Sequence, residues 1–342
     1  MTGYEIIKGN VEFTKPERIG IRFNRIGNVS DVFRIFVQKP RKLRDDEHVN
    51  MLKKPRPIPG KIDEWGCFWD SSDSSGVDMG QVTESPIKEW EDFEDYKMPD
   101  PHAEGRFDNL EEALKEAEEK GLYVQLNSPH CIFERMHFLR GFENTLVDTM
   151  IDKENIEILA DKLMEYQIGI IEEAYKHGKG RIHCYDTTDD WGSQQGLLIP
   201  PPIFREVFKP RYKKIVEAAH KAGMHVRFHT DGMITEILQD FIDIGIDILN
   251  IHQPRLVDID EVSKIARGKI CFEAAVDIQA TLPTGDKDLI KAEVQELVEK
   301  WATPEGGLIG VEYGYLSAIG TTKESMEYAL ECFMELGKLK NE

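Results

Sequence analysis

Residues 201–232, PPIFREVFKPRYKKIVEAAHKAGMHVRFHTDG, contain one complete helix-to-strand unit. Prolines open it where a first helical turn tolerates them, Gly223 ends the helix, and MHVRFH has the apolar alternation of a strand. The same unit recurs on both sides. NLEEALKEAEEKG (109–121) leads to LYVQLN, NIEILADKLMEYQIGIIEEAYKHG (155–178) to RIHCYD, MITEILQDFIDIG to IDILNIH, DEVSKIARG to KICFEA and DLIKAEVQELVEKW to GLIGVE. KESMEYALECFMEL (323–336) then closes the chain as a helix. Six strands therefore follow residue 122, and RIGIRF (18–23) supplies a seventh. The pattern predicts a (β/α)8 TIM-type barrel, α/β in class, with one irregular unit.

An open doubly wound sheet is the other arrangement of such units. No GxGxxG or GxxxxGK[ST] follows any strand, so its usual phosphate-cradling loops are lacking. The barrel body is expected over 107–342. Residues 1–106 hold the first barrel elements and an irregular extension, the whole forming one structural domain. Between about 37 and 106 the stretches KPRPIPG, DSSDSSG and MPDPHAEG are rich in Pro, Ser, Asp and Gly, but Trp65, Cys67, Phe68, Trp69 and Trp90 are too apolar for a solvated linker.

Composition narrows the function. The 342 residues carry 43 basic and 63 acidic side chains, a formal charge of -20 that repels nucleic acid and anionic membranes. No apolar run is long enough to span a bilayer, and the N-terminus lacks a secretory signal layout, so a cytoplasmic protein is expected. Cys67, Cys131, Cys184, Cys271 and Cys332 are scattered and form no CxxC, which argues against a disulfide frame or a thiolate zinc knuckle.

Strand parity then locates a site. In a barrel the outer face packs on helices, so the aliphatic register of each strand should point outward. Val226 and Phe228 outward leave His229 inside, and Leu122, Val124 and Leu126 leave Asn127. Leu249 and Ile251 turn Asn250 and His252 inward, Ile270 and Phe272 do the same for Cys271 and Glu273, and Ile309 and Val311 for Glu312. Asp186 ends a strand of ambiguous parity. These polar residues stand at C-terminal strand ends, where barrel enzymes build active sites. His229 and Asp231, two apart at the end of MHVRFHTDG, could grip a metal; equally, His229 could be a hydrogen-bonded structural histidine and Asp231 could cap a helix starting near Met233. Glu273 and Glu312 could also be ladder residues.

DDWGSQQGLLIPPPIFREVFKPRYKKIVEAAHKAGMHVRFHTDG (189–232), DILNIHQP, VDIQATLPTG and TTKESM resemble landmarks of the uroporphyrinogen decarboxylase superfamily, specifically its corrinoid-linked methyltransferase branch. FERMHFLRGFENTLVD and DEWGCFW are similar too. The resemblance implies a barrel whose zinc activates a methyl donor or acceptor, with methyl exchanged with cobalt on a separate corrinoid-binding protein; no DxHxxG corrinoid motif occurs in this chain. Thiol-methylating members hold zinc with one histidine and two cysteines. Here Asp231 stands at the first cysteine position and Tyr315 falls near the second, so a harder, more Lewis-acidic zinc is implied, suited to an O-demethylase acting on an aryl methyl ether or other methoxylated small molecule. The resemblance assigns His229 and Asp231 as metal ligands, Glu273 as the third, with Glu312 or His252 in reserve. Asn127, His252 and Glu312 would line the substrate, and Asp186, Asp190 and Tyr315, with Asn127, would position or protonate the leaving oxygen.

Three other functions compete with this one. A thiol methyltransferase is weakened by the absent cysteines. A porphyrinogen decarboxylase has only Arg22 and Arg25 to offer substrate propionates, and a non-catalytic barrel would have lost its inward polar set. Oligomeric state is left open, a homodimer included.

Overall fold

The computed structural model describes residues 1–43, 61–70 and 80–339. KPRPIPG and all of DSSDSSG but its first residue lie outside the described residues. Eight parallel strands wind in chain order into a barrel: β1 Gly20–Phe23, β2 Val32–Phe36, β3 Tyr123–Asn127, β4 Cys184–Thr188, β5 His225–His229, β6 Ile248–Ile251, β7 Cys271–Ala274 and β8 Leu308–Val311. β8 returns to β1 with Gly20 opposite Ile309. The eighth strand, not anticipated in the sequence, is VFRIF at 32–36.

The seam between β1 and β2 is closed at Asp31, by its carboxylate as well as its backbone, next to the antiparallel pairing of Val29–Ser30 with β1. Asp31 accepts a hydrogen bond from the Ile21 amide at 2.9 Å through its carboxylate and donates its own amide to the Ile21 carbonyl at 2.8 Å. Arg18 holds that carboxylate in a two-pronged contact at 2.7 and 2.8 Å.

Helix α1, Gly3–Val11, plugs the N-terminal end. It starts with a capping box between Thr2 and Glu5. Its Ile7 and Val11 meet Val32, Tyr123, Cys184, Ile248, Cys271 and Ile309 in a buried apolar floor. On the outside Phe228 packs on Tyr212 and Phe241, and Phe272 on Trp301, as the alternation predicts.

β8 departs from that alternation. Ile309 points into the floor, while a Cβ at Gly310 would meet the Phe333 ring at 2.7 Å, so Gly310 faces the outer helix. The register is the reverse of the expected one. Because the floor is apolar, an aliphatic residue on β8 is at home on either face. Glu312 is thereby turned away from the lumen.

The part of the extension between residues 61 and 84 forms a three-stranded sheet of Lys61–Ile62, Phe68–Asp70 and Gln81–Glu84. Trp65 packs edge-on against Tyr166, and Trp69 against Phe138; both tryptophans are buried. Among the described residues no helix is long and apolar enough to cross a membrane.

Candidate metal centre

Above the apolar floor the lumen carries a polar layer. Asp186 accepts hydrogen bonds from Arg227 at 2.5 Å, Arg34 at 2.8 Å and Asn127 at 3.0 Å. Glu273 is bound by both Arg22 and Arg227. Burial would raise these carboxyls, but the guanidiniums more than reverse it and hold each at about 2. Glu273, expected as the third metal ligand, and Asp186 and Asn127, expected at the leaving oxygen, are instead committed to this network. The reason is charge: a buried guanidinium requires a carboxylate, and Arg22, Arg34 and Arg227 all point inward.

One layer higher, three donors converge. His229, Asp231 and His252 each offer an atom within 4.8 Å of the other two. His229 Nε2 is 3.7 Å from Asp231 Oδ2, and His252 Nδ1 is 3.4 Å from the same oxygen. Tetrahedral zinc with bonds of about 2.0–2.1 Å places neighbouring donors roughly 3.3 Å apart, close to the two spacings about Asp231 Oδ2. The tautomer fits as well. Asn250 donates through Nδ2 to the Glu273 carbonyl at 2.8 Å, which leaves its Oδ1 to accept from His229 Nδ1 at 2.7 Å. Nε2 of His229 is then the ring nitrogen left to face Asp231. Burial pushes the Asp231 carboxyl up, yet the two imidazoles hold it well below the usual carboxylate range. His252, expected in reserve and at the substrate, completes the trio in place of Glu273.

Two glycine loops set this geometry. A Cβ on Gly232, whose φ is +86°, would lie 2.2 Å from the Gly192 carbonyl, and one on Gly192 would lie 2.5 Å from the Met233 amide nitrogen. The loops ending DDWG and HTDG therefore run in backbone contact, and only glycine fits at either point. The Gly192 amide reaches the Asp231 carbonyl at 3.2 Å, and the Asp231 amide reaches Asp190 Oδ1 at 2.9 Å. Asp190 is thereby fixed 3.6 Å from His229 Nε2. Its neighbour Asp189 turns the other way. It accepts from the amides of Ile132, Phe133 and Glu134 and from the Tyr212 hydroxyl, and so caps the helix Phe133–Arg140.

The remaining expected residues separate. Glu312 accepts from the backbone amides of Arg25 and Ile26, both at 2.8 Å, and serves the loop after β1. Tyr315 stacks beneath the Arg25 guanidinium and against Tyr313, and it is the Tyr313 ring that touches His252, at 5.4 Å between centroids. Tyr313 and Glu134 were not anticipated. Glu134 accepts from Thr188 at 2.8 Å and lies 3.5 Å from His130; burial would raise its carboxyl, but His130 first, then the Thr188 bond and His229, hold it at about 2. FERMHF gave no parity signal for it, being helical.

The chain matches the family described as Uroporphyrinogen decarboxylase (URO-D) over residues 75–333, and it belongs to that family. No curated protein sequence matches it. Among solved structures it is similar to a methyltransferase from Methanosarcina mazei, with 19% identity and a TM-score of 0.62 over 79% of this chain and 76% of that one. At that identity the likeness speaks to the fold. It is less similar to xylanase 10B from Thermotoga petrophila (12% identity, 72% of this chain and 83% of that chain, TM-score 0.43) and to an L-ribulose 3-epimerase (16%, 66% and 77%, 0.42).

Proposed function

We propose that this chain is a methyltransferase that uses zinc to move a methyl group from an aryl methyl ether to the cobalt(I) of a separate corrinoid protein. The observation that carries the reading is the convergence of His229 Nε2, Asp231 Oδ2 and His252 Nδ1 at the open end of a URO-D barrel. The methyltransferase named among its structural relatives is in keeping with it.

When bound, a zinc with two nitrogen donors and one oxygen donor supplies Lewis acidity toward an ether oxygen. The chain's own residues do the rest. Asn250 keeps the His229 lone pair aimed at the centre by occupying Nδ1. Asp190, fixed 3.6 Å from His229 Nε2 and bound to the Asp231 amide, is the carboxyl placed to give a proton to the departing oxygen. The methyl carbon–oxygen bond breaks, the cobalt electron pair forms the new bond to carbon, and the oxygen leaves as the phenol. The Tyr313 ring against His252 offers an apolar wall for the aryl group.

The test is to purify the protein without added metal, measure zinc, and mix it with a cobalt(I) corrinoid protein and methoxylated aromatics while following methyl-cobalt absorbance. About one zinc per chain, lost in His252→Ala together with methylation, is expected. Full methylation by metal-free protein, or methyl transfer to thiols alone, would overturn the reading.

A further inference from the structure

The helix Phe142–Ile151 is turned inside out. Its buried residues are Thr145, Asp148 and Thr149, and their polar groups are answered within the chain. Thr145 Oγ1 donates to the Gly141 carbonyl at 2.8 Å, Thr149 Oγ1 to the Leu146 carbonyl at 2.7 Å, and Asp148 accepts from Arg140 at 2.9 Å. The solvent side instead carries Phe142, Val147, Met150 and Ile151, exposed by 51, 47, 61 and 75%. Four of the eleven large apolar side chains that the described residues leave exposed therefore sit on one helix of ten residues. A surface helix normally turns its apolar stripe to the core and its polar residues to water. The reverse leaves roughly 450 Å² of apolar surface in one place, the size of patch that marks a contact site rather than scattered exposure.

The face is held ready. Phe142 packs edge-on against His137 at 4.8 Å between centroids, and the Asp148–Arg140 ion pair pins the helix from beneath, so little order is lost when something covers it.

What covers it follows from its centre and its ends. Val147, Met150 and Ile151 form a centre without charge, the character of a permanent contact between identical chains rather than of an encounter surface for a partner that comes and goes. A membrane is disfavoured by charge: the chain stands at -20 and the flanking exposed residues include Glu143 and Glu154, where a helix seated on a bilayer carries Lys and Arg. The ends complement each other. Glu143 opens the stretch and Lys153, 42% exposed, follows ten residues later, about 15 Å along a helix. Two copies crossed antiparallel about a two-fold axis near Val147 set each Glu143 beside the other copy's Lys153, which within its own chain meets Glu157 and Glu206.

We infer that this chain forms a homodimer joined through the outer faces of the helix Phe142–Ile151. With its polar rim each face approaches the about 800 Å² per partner of a standard specific interface. The contact needs neither metal nor methyl donor and is tested without them.

Sedimentation equilibrium on the full chain over about 0.1–100 μM is expected to give a species of twice the 39.3 kDa chain mass. Met150→Asp and Ile151→Asp alter exposed positions, so circular dichroism and the unfolding midpoint should stay as in the parent while the dissociation constant rises at least about thirtyfold for each. Leu289→Asp, at an apolar residue 51% exposed on another helix, should leave the dimer intact. Glu143→Lys should weaken association severalfold, and adding Lys153→Glu to it should restore association, as the antiparallel two-fold requires. A monomer at every concentration, a dimer that neither Met150→Asp nor Ile151→Asp weakens, or a double charge reversal no tighter than Glu143→Lys alone would overturn the inference. So would a monomer that uses Met150 and Ile151 to bind the corrinoid protein or phosphatidylcholine vesicles, which would give the face to that occupant instead.

Discussion

His229 and Asn250 lie side by side on adjacent strands, and the 2.7 Å bond from the imidazole Nδ1 to the Asn250 amide oxygen decides which nitrogen of His229 faces the mouth. Replacing Asn250 removes that decision. Asn250→Ala should lower zinc affinity by about tenfold to hundredfold, the usual effect of losing the group that orients a ligating histidine. Competition with a chromophoric chelator measures it. Unchanged affinity would mean that His229 is oriented by other contacts.

The backbone contact between Gly192 and Gly232 leads to a second expectation. Gly232→Ala sets a methyl 2.2 Å from backbone atoms and also strains a φ of +86°, so it should cost more than about 4 kcal/mol and leave little folded protein. Gly223 provides the control. Its φ is +76° with open space around it, and Gly223→Ala should cost only the left-handed penalty of about 1–2 kcal/mol. Similar unfolding midpoints for the two variants would contradict the packing described for the mouth.

Acid should weaken the fold through His183. Its Nδ1 accepts the Val124 amide at 2.8 Å, and burial lowers its pKa from an ordinary 6.5 to about 4, so the folded ring is neutral. Between those values the unfolded chain takes up a proton that the folded chain refuses. Stability therefore falls as pH drops from 6.5 toward 4, by up to about 1.4 kcal/mol per unit for this one residue. His183→Gln, which keeps an acceptor without titrating, should flatten that slope relative to the parent in urea unfolding at pH 7 and pH 5. Parallel slopes would show that the ring titrates normally when folded.

What the sequence disclosed and what it concealed follow from the same rule. On β5, β6 and β7 aromatic or aliphatic residues alternate with polar ones, so the inward aim of His229, Asn250, His252 and Glu273 could be read from parity. On β8 both faces are aliphatic, and the register that misplaced Glu312 became visible only with the α1 floor in position. The direction of Glu273 was legible, but its partner was not. Arg22 arrives from the far end of the chain through closure of β1 on β8, and no local pattern encodes that pairing. Tyr313 sits on the segment after β8 and Glu134 in the first turn of the helix after β3, where no strand alternation marks the residue that reaches the mouth.

Glu273 and His252 should therefore exchange the consequences that their positions in the sequence suggest. Glu273→Gln leaves Arg22 and Arg227 with half their carboxylate in a buried layer, and breaking such a pair typically costs about 3–5 kcal/mol. It should nonetheless bind zinc at close to the parent affinity, because the Asn250–His229 bond depends on the Glu273 backbone carbonyl, which the substitution keeps. His252→Ala does the opposite. The ring is at the open mouth, bonded to Asp231 at 3.4 Å and edge-on to Tyr313, so its loss should cost little stability but most of the zinc. Unfolding midpoints and metal analysis on the two variants, side by side, settle the assignment. A Glu273→Gln protein that is stable but zinc-free would return the third ligand to the lumen and remove His252 from the centre.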